Sequence, residues 1–142
     1  MTRRRLAGRF LRASGIVLIL LGVVHLIATP HIPHLLDDMP PKARDFAVGP
    51  TLLNHLLVGI LLLPLGFTTW LAAAEDHLRQ PWAKRTLIVN CLTVLTLPLM
   101  VVLLMRHPQY YQSPLFVAGV SLTALTAVMM AAAAWVAAST KV

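Results

Sequence analysis

Histidine is the residue type through which this chain could do chemistry, and its placement is uneven. His25 lies near the end of the apolar segment GIVLILLGVVHLIAT, and His55 lies near the start of the next one, TLLNHLLVGILLLPLGFTTWLAAA. His31 and His34 lie between these segments with an H-x-x-H spacing. An ionisable or metal-binding side chain inside a membrane segment is costly, so it is a functional-site hypothesis by default. These four histidines therefore form the candidate site.

Imidazole nitrogens suit several chemistries at such a site. Histidine ligates zinc, copper and iron, so His25, His31, His34 and His55 are candidate metal ligands. Two membrane histidines at one level could instead ligate a b-type haem, which makes His25 and His55 the candidate cofactor-binding pair. Other readings are a hydrogen bond to a quinone, a proton relay, or simple packing. Whether the chain is an enzyme stays open, since it has no H-E-x-x-H or Ser-His-Asp arrangement.

The composition assigns the fold class. The chain has 142 residues, of which 58% are hydrophobic and 12% are charged, whereas a soluble domain carries about 25% charged residues. The apolar residues form four runs without Asp, Glu, Lys or Arg, at 13–29, 51–74, 86–105 and 115–138. Each is long enough to cross a bilayer as a helix. The sequence thus predicts an all-α integral membrane protein, residues 1–142, with four helices in one up-and-down bundle.

The basic residues predict the orientation of that bundle. The net charge is +7, but the charges alternate between loops rather than forming a nucleic-acid-binding surface. Nine of the twelve Lys and Arg residues lie at the termini or between the second and third runs, as the positive-inside rule requires. These nine are Arg3, Arg4, Arg5, Arg9, Arg12, Arg79, Lys84, Arg85 and Lys141. We therefore expect an inner-membrane protein with cytoplasmic termini, outer loops 30–50 and 106–114, and anionic lipid at the basic N-terminus.

Small residues mark the helix faces that should pack together. His25 shares a face of the first helix with Gly15, Gly22 and Thr29. On the second helix His55 shares a face with Gly59 and Gly66, and on the fourth Gly119, Thr123 and Ala127 form a similar stripe. Small residues let helix backbones approach closely in a membrane. Both candidate histidines should therefore point into the bundle.

The depth of the two histidines can be estimated from the prolines of segment 30–50. The segment has five prolines and is predicted to be a stiff loop, so the second helix should begin near Pro50. His25 is five residues before Pro30, and His55 is five residues after Pro50. At about 1.5 Å per residue, each lies roughly 7–8 Å below its helix end. Antiparallel packing should then bring the imidazoles within about 10 Å.

The remaining histidines and the cysteine add little chemistry. His77 and His107 lie beside basic residues at helix ends and are expected at the surface. Cys91 is the only cysteine, so an intramolecular disulfide and a thiolate metal cluster are excluded.

The segments GVVHLIATPHIPHL and LLNHLLVGILLLPLG, together with the helix count, resemble small four-helix bacterial inner-membrane proteins such as the DoxX-like group. The resemblance includes no diagnostic motif and implies no functional residue. Two functions are expected from the residues. The first is a metal or haem site near the outer face with a redox or metal-handling role. The alternative is a non-catalytic accessory subunit of a larger membrane complex, or a homo-oligomer, in which the histidines are structural.

Overall fold

The computed structural model describes residues 3–105 and 108–139, so Arg106, His107 and Lys141 lie outside the described part. Four helices account for most of it: α1 (Arg3–Ala28), α2 (Pro41–Ala72), α3 (Pro81–Leu104) and α4 (Pro114–Ser139). Short 3₁₀ helices cover Thr29–Leu36 and Pro108–Gln112. All four α-helices are long and apolar enough to cross a membrane. The predicted all-α membrane class is confirmed at that level.

Proline marks where three of the helices begin. Pro41, Pro81 and Pro114 are the first residues of α2, α3 and α4. Proline suits this position because its fixed φ matches the helix and the missing N–H would have no partner there. Each of these helices therefore begins earlier than its run of apolar residues does.

The prediction that 30–50 is a loop was wrong. Residues Thr29–Leu36 form a 3₁₀ helix, and 41–50 form the first turns of α2, which leaves only 37–40 as the connection. Pro50 lies inside α2, where it removes one backbone hydrogen bond without ending the helix. The first helix also extends back to Arg3, since arginine is a good helix former. Charges and prolines ended the apolar runs but not the helices.

The helices form a ring in which neighbours touch and diagonal pairs do not. Within the described residues α1 packs against α2 and α4, and α3 packs against α4 and α2. The contact between α1 and α2 is the most extensive, and that between α2 and α3 is the smallest of the four. The α1–α2 pair is therefore the structural centre of the molecule.

The packed core lies toward one end of the helix bundle. We call the end with Arg5, Glu75 and Lys84 the basic end, and the opposite end, with His25 and His55, the histidine end. Burial in α3 stops at Val94 and burial in α4 begins at Thr126. No residue of 95–104 or 115–125 is buried. In the described part of the chain, the side chains of these halves of α3 and α4, at the histidine end, are exposed or half-buried.

A histidine pair as candidate functional site

Four glycines bring α1 and α2 into backbone contact. A methyl group added at Gly15 would lie 2.7 Å from the Gly66 carbonyl oxygen, and one at Gly22 would lie 2.9 Å from the Gly59 oxygen. The reverse additions also clash, at 2.6 Å for Gly66 and 2.8 Å for Gly59. No larger residue fits there without moving a helix. The predicted helix contacts at Gly22, Gly59 and Gly66 are confirmed.

The spacing of these glycines defines how the two helices are aligned. Gly22 follows Gly15 by seven residues, and its partner Gly59 precedes Gly66 by seven. The helices are therefore antiparallel, and each step along one is matched by an equal step along the other. One further turn along this alignment leads from the pair Gly22 and Gly59 to His25 and His55.

The two histidine rings stack on each other. Their centroids are 4.7 Å apart and their planes are inclined by 29°. The expectation that antiparallel packing brings these imidazoles within about 10 Å is met. Both side chains are half-buried, so the pair lies between the helices at the edge of their interface.

The depth estimate reached this result from a wrong premise. Because α2 begins at Pro41, His55 lies fourteen residues into it, about 21 Å along the axis. His25 is three residues from the end of α1, about 4–5 Å. The two histidines are therefore not equally distant from their helix ends. The glycine contacts, rather than the prolines, place them at one level.

Hydrogen bonds fix the tautomers of both rings. His25 Nδ1 lies 3.0 Å from the Leu21 carbonyl oxygen, which can only accept, so Nδ1–H donates. Thr29 Oγ1 donates its single hydrogen to the His25 carbonyl oxygen at 2.8 Å. It also lies 3.0 Å from His55 Nδ1, and there it must accept, so His55 Nδ1–H donates. Each neutral imidazole therefore keeps the lone pair on Nε2.

This arrangement defines what the pair can do. Nδ1 of His25 is held by a carbonyl oxygen of α1, and Nδ1 of His55 is held by the hydroxyl of Thr29, the residue that follows α1. An Nδ1–H bond to a protein oxygen is how proteins orient histidines that bind metals through Nε2. The same lone pair could accept a hydrogen bond from a quinol or from water. The pair thus offers two adjacent, oriented nitrogen donors.

The structure does not bring His31 and His34 into this site. His31 is exposed on the 3₁₀ helix. The side chain of His34 is 74% exposed, and its Nδ1 lies 3.5 Å from Asp37 Oδ2. Asp37 also accepts a 2.6 Å hydrogen bond from Arg44 Nη2 at the start of α2. These residues tie the 3₁₀ helix to α2.

The structure thus assembles two of the four predicted ligands. Across residues 3–105 and 108–139, no three His, Cys, Asp or Glu side chains lie together in a way that could hold a metal ion. His25 and His55 form the pair, and completion of a shell by His31 or His34 stays a prediction. The sequence signal for Thr29 was its place on the face of His25, but its role as acceptor for His55 was missed.

A second polar cluster joins α2 to α3. Asn90 is buried and its Nδ2 donates to Thr68 Oγ1 at 2.8 Å and to Thr69 Oγ1 at 2.9 Å. It also lies 3.2 Å from the Leu65 carbonyl oxygen. Both threonine hydroxyls donate to carbonyl oxygens of their own helix, so they are free to accept from Asn90. The hydrogen-bonding groups of this cluster are amides and hydroxyls. The cluster is therefore a structural link between α2 and α3 rather than a reactive site.

Comparison of the chain with protein-family models, with curated proteins and with solved structures yields no match. The resemblance to the DoxX-like group is therefore not supported by a family match. The geometry of the chain itself is the basis for the function proposed below.

Proposed function

We propose that this chain is a small inner-membrane protein that binds a transition-metal ion through Nε2 of His25 and Nε2 of His55. The observation that carries the proposal is the stacked pair of rings, in which each Nδ1–H donates a hydrogen bond to a protein oxygen. Zinc, copper and iron all accept neutral imidazole as a ligand. The role that follows is metal handling or redox chemistry near the outer face.

The distance between the rings favours a metal ion over haem. With bonds of about 2.0–2.1 Å, an imidazole centre lies about 3.2 Å from the metal it ligates. Two rings at a tetrahedral angle then have centres about 5.2 Å apart, and two axial ligands on opposite sides of a haem have centres about 6.4 Å apart. The observed 4.7 Å is nearer to the first value. The rings are stacked with their planes inclined by 29°, so each ring must also turn before both Nε2 lone pairs can point at one ion. Haem ligation would require the rings to separate by about 1.7 Å.

A metal site with two protein ligands is better suited to exchanging its metal ion than to storing it. Structural zinc sites have four protein ligands, whereas catalytic zinc sites keep one coordination position open for water or substrate. A metal ion on His25 and His55 alone would keep at least two positions for water, for a partner's side chain, or for a histidine of the 3₁₀ helix. Such an ion can be passed on, which is the basis for proposing metal handling.

The proposed orientation is an up-and-down bundle with both termini in the cytoplasm. It rests on the distribution of Lys and Arg and on the positive-inside rule. The contact of Arg5 with Glu75 brings the start of α1 to the connection between α2 and α3, so these two segments lie at the same end of the bundle, as an up-and-down arrangement requires. Single cysteines at Gln80 and Met39, in a Cys91→Ala background, test it with an impermeant thiol reagent on intact cells. Labelling at Gln80 but not at Met39 would reverse the orientation.

Cobalt binding tests the metal site. Co²⁺ replaces zinc at nitrogen sites and has a visible spectrum that depends on its coordination. Detergent-purified protein should bind about one Co²⁺ per chain, and His25→Ala and His55→Ala should each abolish binding, because neither nitrogen alone forms a chelate. The matched control is His77→Ala, since His77 packs on Trp82 at the basic end. Its removal should leave cobalt binding unchanged.

Three results would contradict the proposal. A haem absorbance in the purified protein that disappears in His25→Ala would replace the metal ion with haem. Cobalt bound equally by wild type and by both alanine variants would move the site elsewhere. A stable protein with no bound metal under any loading condition would leave the histidines as packing residues.

The second candidate is the accessory subunit, and one observation favours it. Residues 95–104 of α3 and 115–125 of α4 include no buried side chain, so a larger partner could pack there. A subunit of this kind should co-purify with a partner in fixed ratio, and crosslinkers placed at Leu99 and Leu122 should capture it. Crosslinks to lipid alone, with metal bound at the histidine pair, would exclude it.

A further inference from the structure

A basic cavity lies at the end of the molecule opposite the histidine pair. Its volume is about 370 Å³, and its walls come from the first turns of α1 and from the connection that follows α2. The lining side chains that matter here are Arg5, Arg9, Arg12, Ala73, Glu75 and Leu78. We propose that this cavity binds the phosphate of an anionic phospholipid.

The charge of the cavity suits a phosphate. Arg5, Arg9 and Arg12 fall at i, i+4 and i+7, so all three guanidinium groups emerge from one face of α1. Glu75 is the single acidic residue among those that line the cavity, which leaves the lining with a net charge of +2. The planar guanidinium fork matches phosphate oxygens better than the point charge of lysine does. The cavity therefore selects a negative group with several oxygens.

The ion pair within the cavity is weak enough to yield to a ligand. Arg5 Nε lies 2.9 Å from Glu75 Oε1, and both side chains are 61% exposed. An exposed pair of this kind contributes little to stability because water screens it. An incoming phosphate can therefore share Arg5 with Glu75 at small cost. Glu75 then limits the affinity of the site rather than closing it.

The cavity is built on a rigid contact. A methyl group added at Gly8 would lie 3.1 Å from Leu78 Cδ1 and 3.2 Å from the Ala73 carbonyl oxygen. The start of α1 is thus pressed against the chain that leaves α2, and Leu78 and Ala73 are themselves buried. The arginines are carried by a helix that is already held in place, so binding orders only their side chains.

The surroundings of the cavity point to a lipid rather than to a soluble anion. The guanidinium carbon of Arg12 lies 5.8 Å from the centre of the Trp70 ring, and Trp70 stacks on Phe67 at 6.2 Å. Both aromatic rings are exposed, and both lie in the apolar part of α2. The basic cavity therefore continues into an aromatic surface at membrane depth. A phospholipid uses both parts, with its phosphate on the arginines and an acyl chain on the rings.

Quenching of Trp70 tests this site in a bilayer. Trp82→Phe with Trp135→Phe leaves Trp70 as the sole tryptophan, next to Arg12. The protein is reconstituted in mixtures of phosphatidylglycerol and phosphatidylcholine in which one lipid is brominated on its acyl chains and the other is not. Brominated phosphatidylglycerol should quench Trp70 more strongly than brominated phosphatidylcholine at the same mole fraction. Arg9→Gln should lower the relative binding constant about fivefold.

Two further variants test the direction of the change in lipid binding and provide a control. Glu75→Gln should raise the relative binding constant, because it removes the acid and releases Arg5. Arg79→Gln is the matched control, since Arg79 is an exposed arginine of the same end that does not line the cavity. It should leave the constant unchanged. An opposite effect of Glu75→Gln and Arg9→Gln cannot arise from loss of folding.

Defined results overturn the proposal. Equal quenching by the two brominated lipids would show that the cavity has no preference for anionic lipid. An equal loss in Arg79→Gln and Arg9→Gln would assign the preference to the general surface charge. Displacement of brominated phosphatidylglycerol by millimolar inorganic phosphate or glycerol phosphate would make the ligand a free anion and not a lipid.

Discussion

The α1–α2 pair and the α3–α4 pair are built in different ways. Along α1 and α2, backbone contacts at Gly15 with Gly66 and at Gly22 with Gly59 lead directly to the histidine rings. In α3 and α4 the buried residues end near the middle of the helices, where Cys91 Sγ lies 3.9 Å from the Ala127 carbonyl oxygen. Beyond it no residue of 95–104 or 115–125 is buried. One pair is closed over its length, and the other is closed over half of it.

The difference shows what positions the candidate site. Two imidazoles with centroids 4.7 Å apart require a fixed distance between the two helices that carry them. Direct contact between the helix backbones fixes that distance. Helices that meet only through long side chains have more freedom to shift. The site lies on the closed pair, next to the last glycine contact. The open halves of α3 and α4 hold no pair of side chains that requires so fixed a distance between helices.

The largest effect should come from breaking the closed pair. Gly66→Leu places a side chain where a single carbon already lies 2.6 Å from the Gly15 carbonyl oxygen. Overpacking of this kind costs about 1–3 kcal/mol, and we expect the upper value because the obstacle is backbone. Thermal or SDS-induced unfolding of the detergent-solubilised protein measures the loss. Cobalt binding should disappear with it.

The control for this variant lies on the open pair. Gly119 has no atom within 4 Å of an added methyl group, so Gly119→Leu should leave stability within about 0.5 kcal/mol of the wild type. Equal destabilisation by the two substitutions would mean that glycine matters for helix formation in general. The distinction between the closed and open pairs would then be lost.

A smaller effect should follow from removing the acceptor that holds His55. Thr29→Val keeps the shape of the side chain but leaves His55 Nδ1–H without its partner at 3.0 Å. Loss of such an orienting bond lowers metal affinity about 10–100-fold, and we expect about tenfold in a cobalt titration. Thr123→Val is the matched change on α4, where the hydroxyl donates to the Gly119 carbonyl oxygen of its own helix. If both variants titrate like the wild type, the tautomer assigned to His55 is wrong.

The smallest effect should come from the link between the two pairs. Asn90→Leu removes the donor to Thr68 and Thr69 and should cost about 0.6–1 kcal/mol, the usual value of an interhelical hydrogen bond in a membrane protein. The same change at the exposed Asn54 should cost nothing measurable in the same unfolding assay. A loss above about 3 kcal/mol at Asn90 would show that α3 is held mainly through this residue.

Part of this architecture could be predicted from the sequence because lipid restricts the options. Four uncharged apolar runs in a bilayer must become helices, and all four are present. Their ends could not be predicted, since neither the arginines of α1 nor Pro41 and Pro50 reveal whether a helix continues past the apolar run. The 3₁₀ helix Thr29–Leu36 was missed for the same reason.

The site was predictable to the level of helix faces and no further. The prediction that the rings meet rested on two arguments: the faces that His25 and His55 share with Gly22 and Gly59, and an equal depth below Pro30 and Pro50. The first was right, and the premise of the second was wrong. The stacking of the rings and the acceptor role of Thr29 depend on alignment to within one residue, which spacing alone does not determine. The stripe on α4 shows the same limit, because Ala127 is buried while a methyl group added at Gly119 would have no atom within 4 Å. Small residues permit close approach without causing it.

The matched seven-residue steps of the glycines have a consequence for insertions and deletions. Each residue turns an α-helix by about 100°, so one residue added between His55 and Gly59 would rotate His55 about a quarter-turn away from His25 while the glycine contacts stayed in place. The same addition in 95–104 of α3 falls in a stretch that has no buried residue. Segment 22–25 of α1 and segment 55–59 of α2 are therefore stretches in which length itself is under constraint, whatever residues lie between each glycine and its histidine.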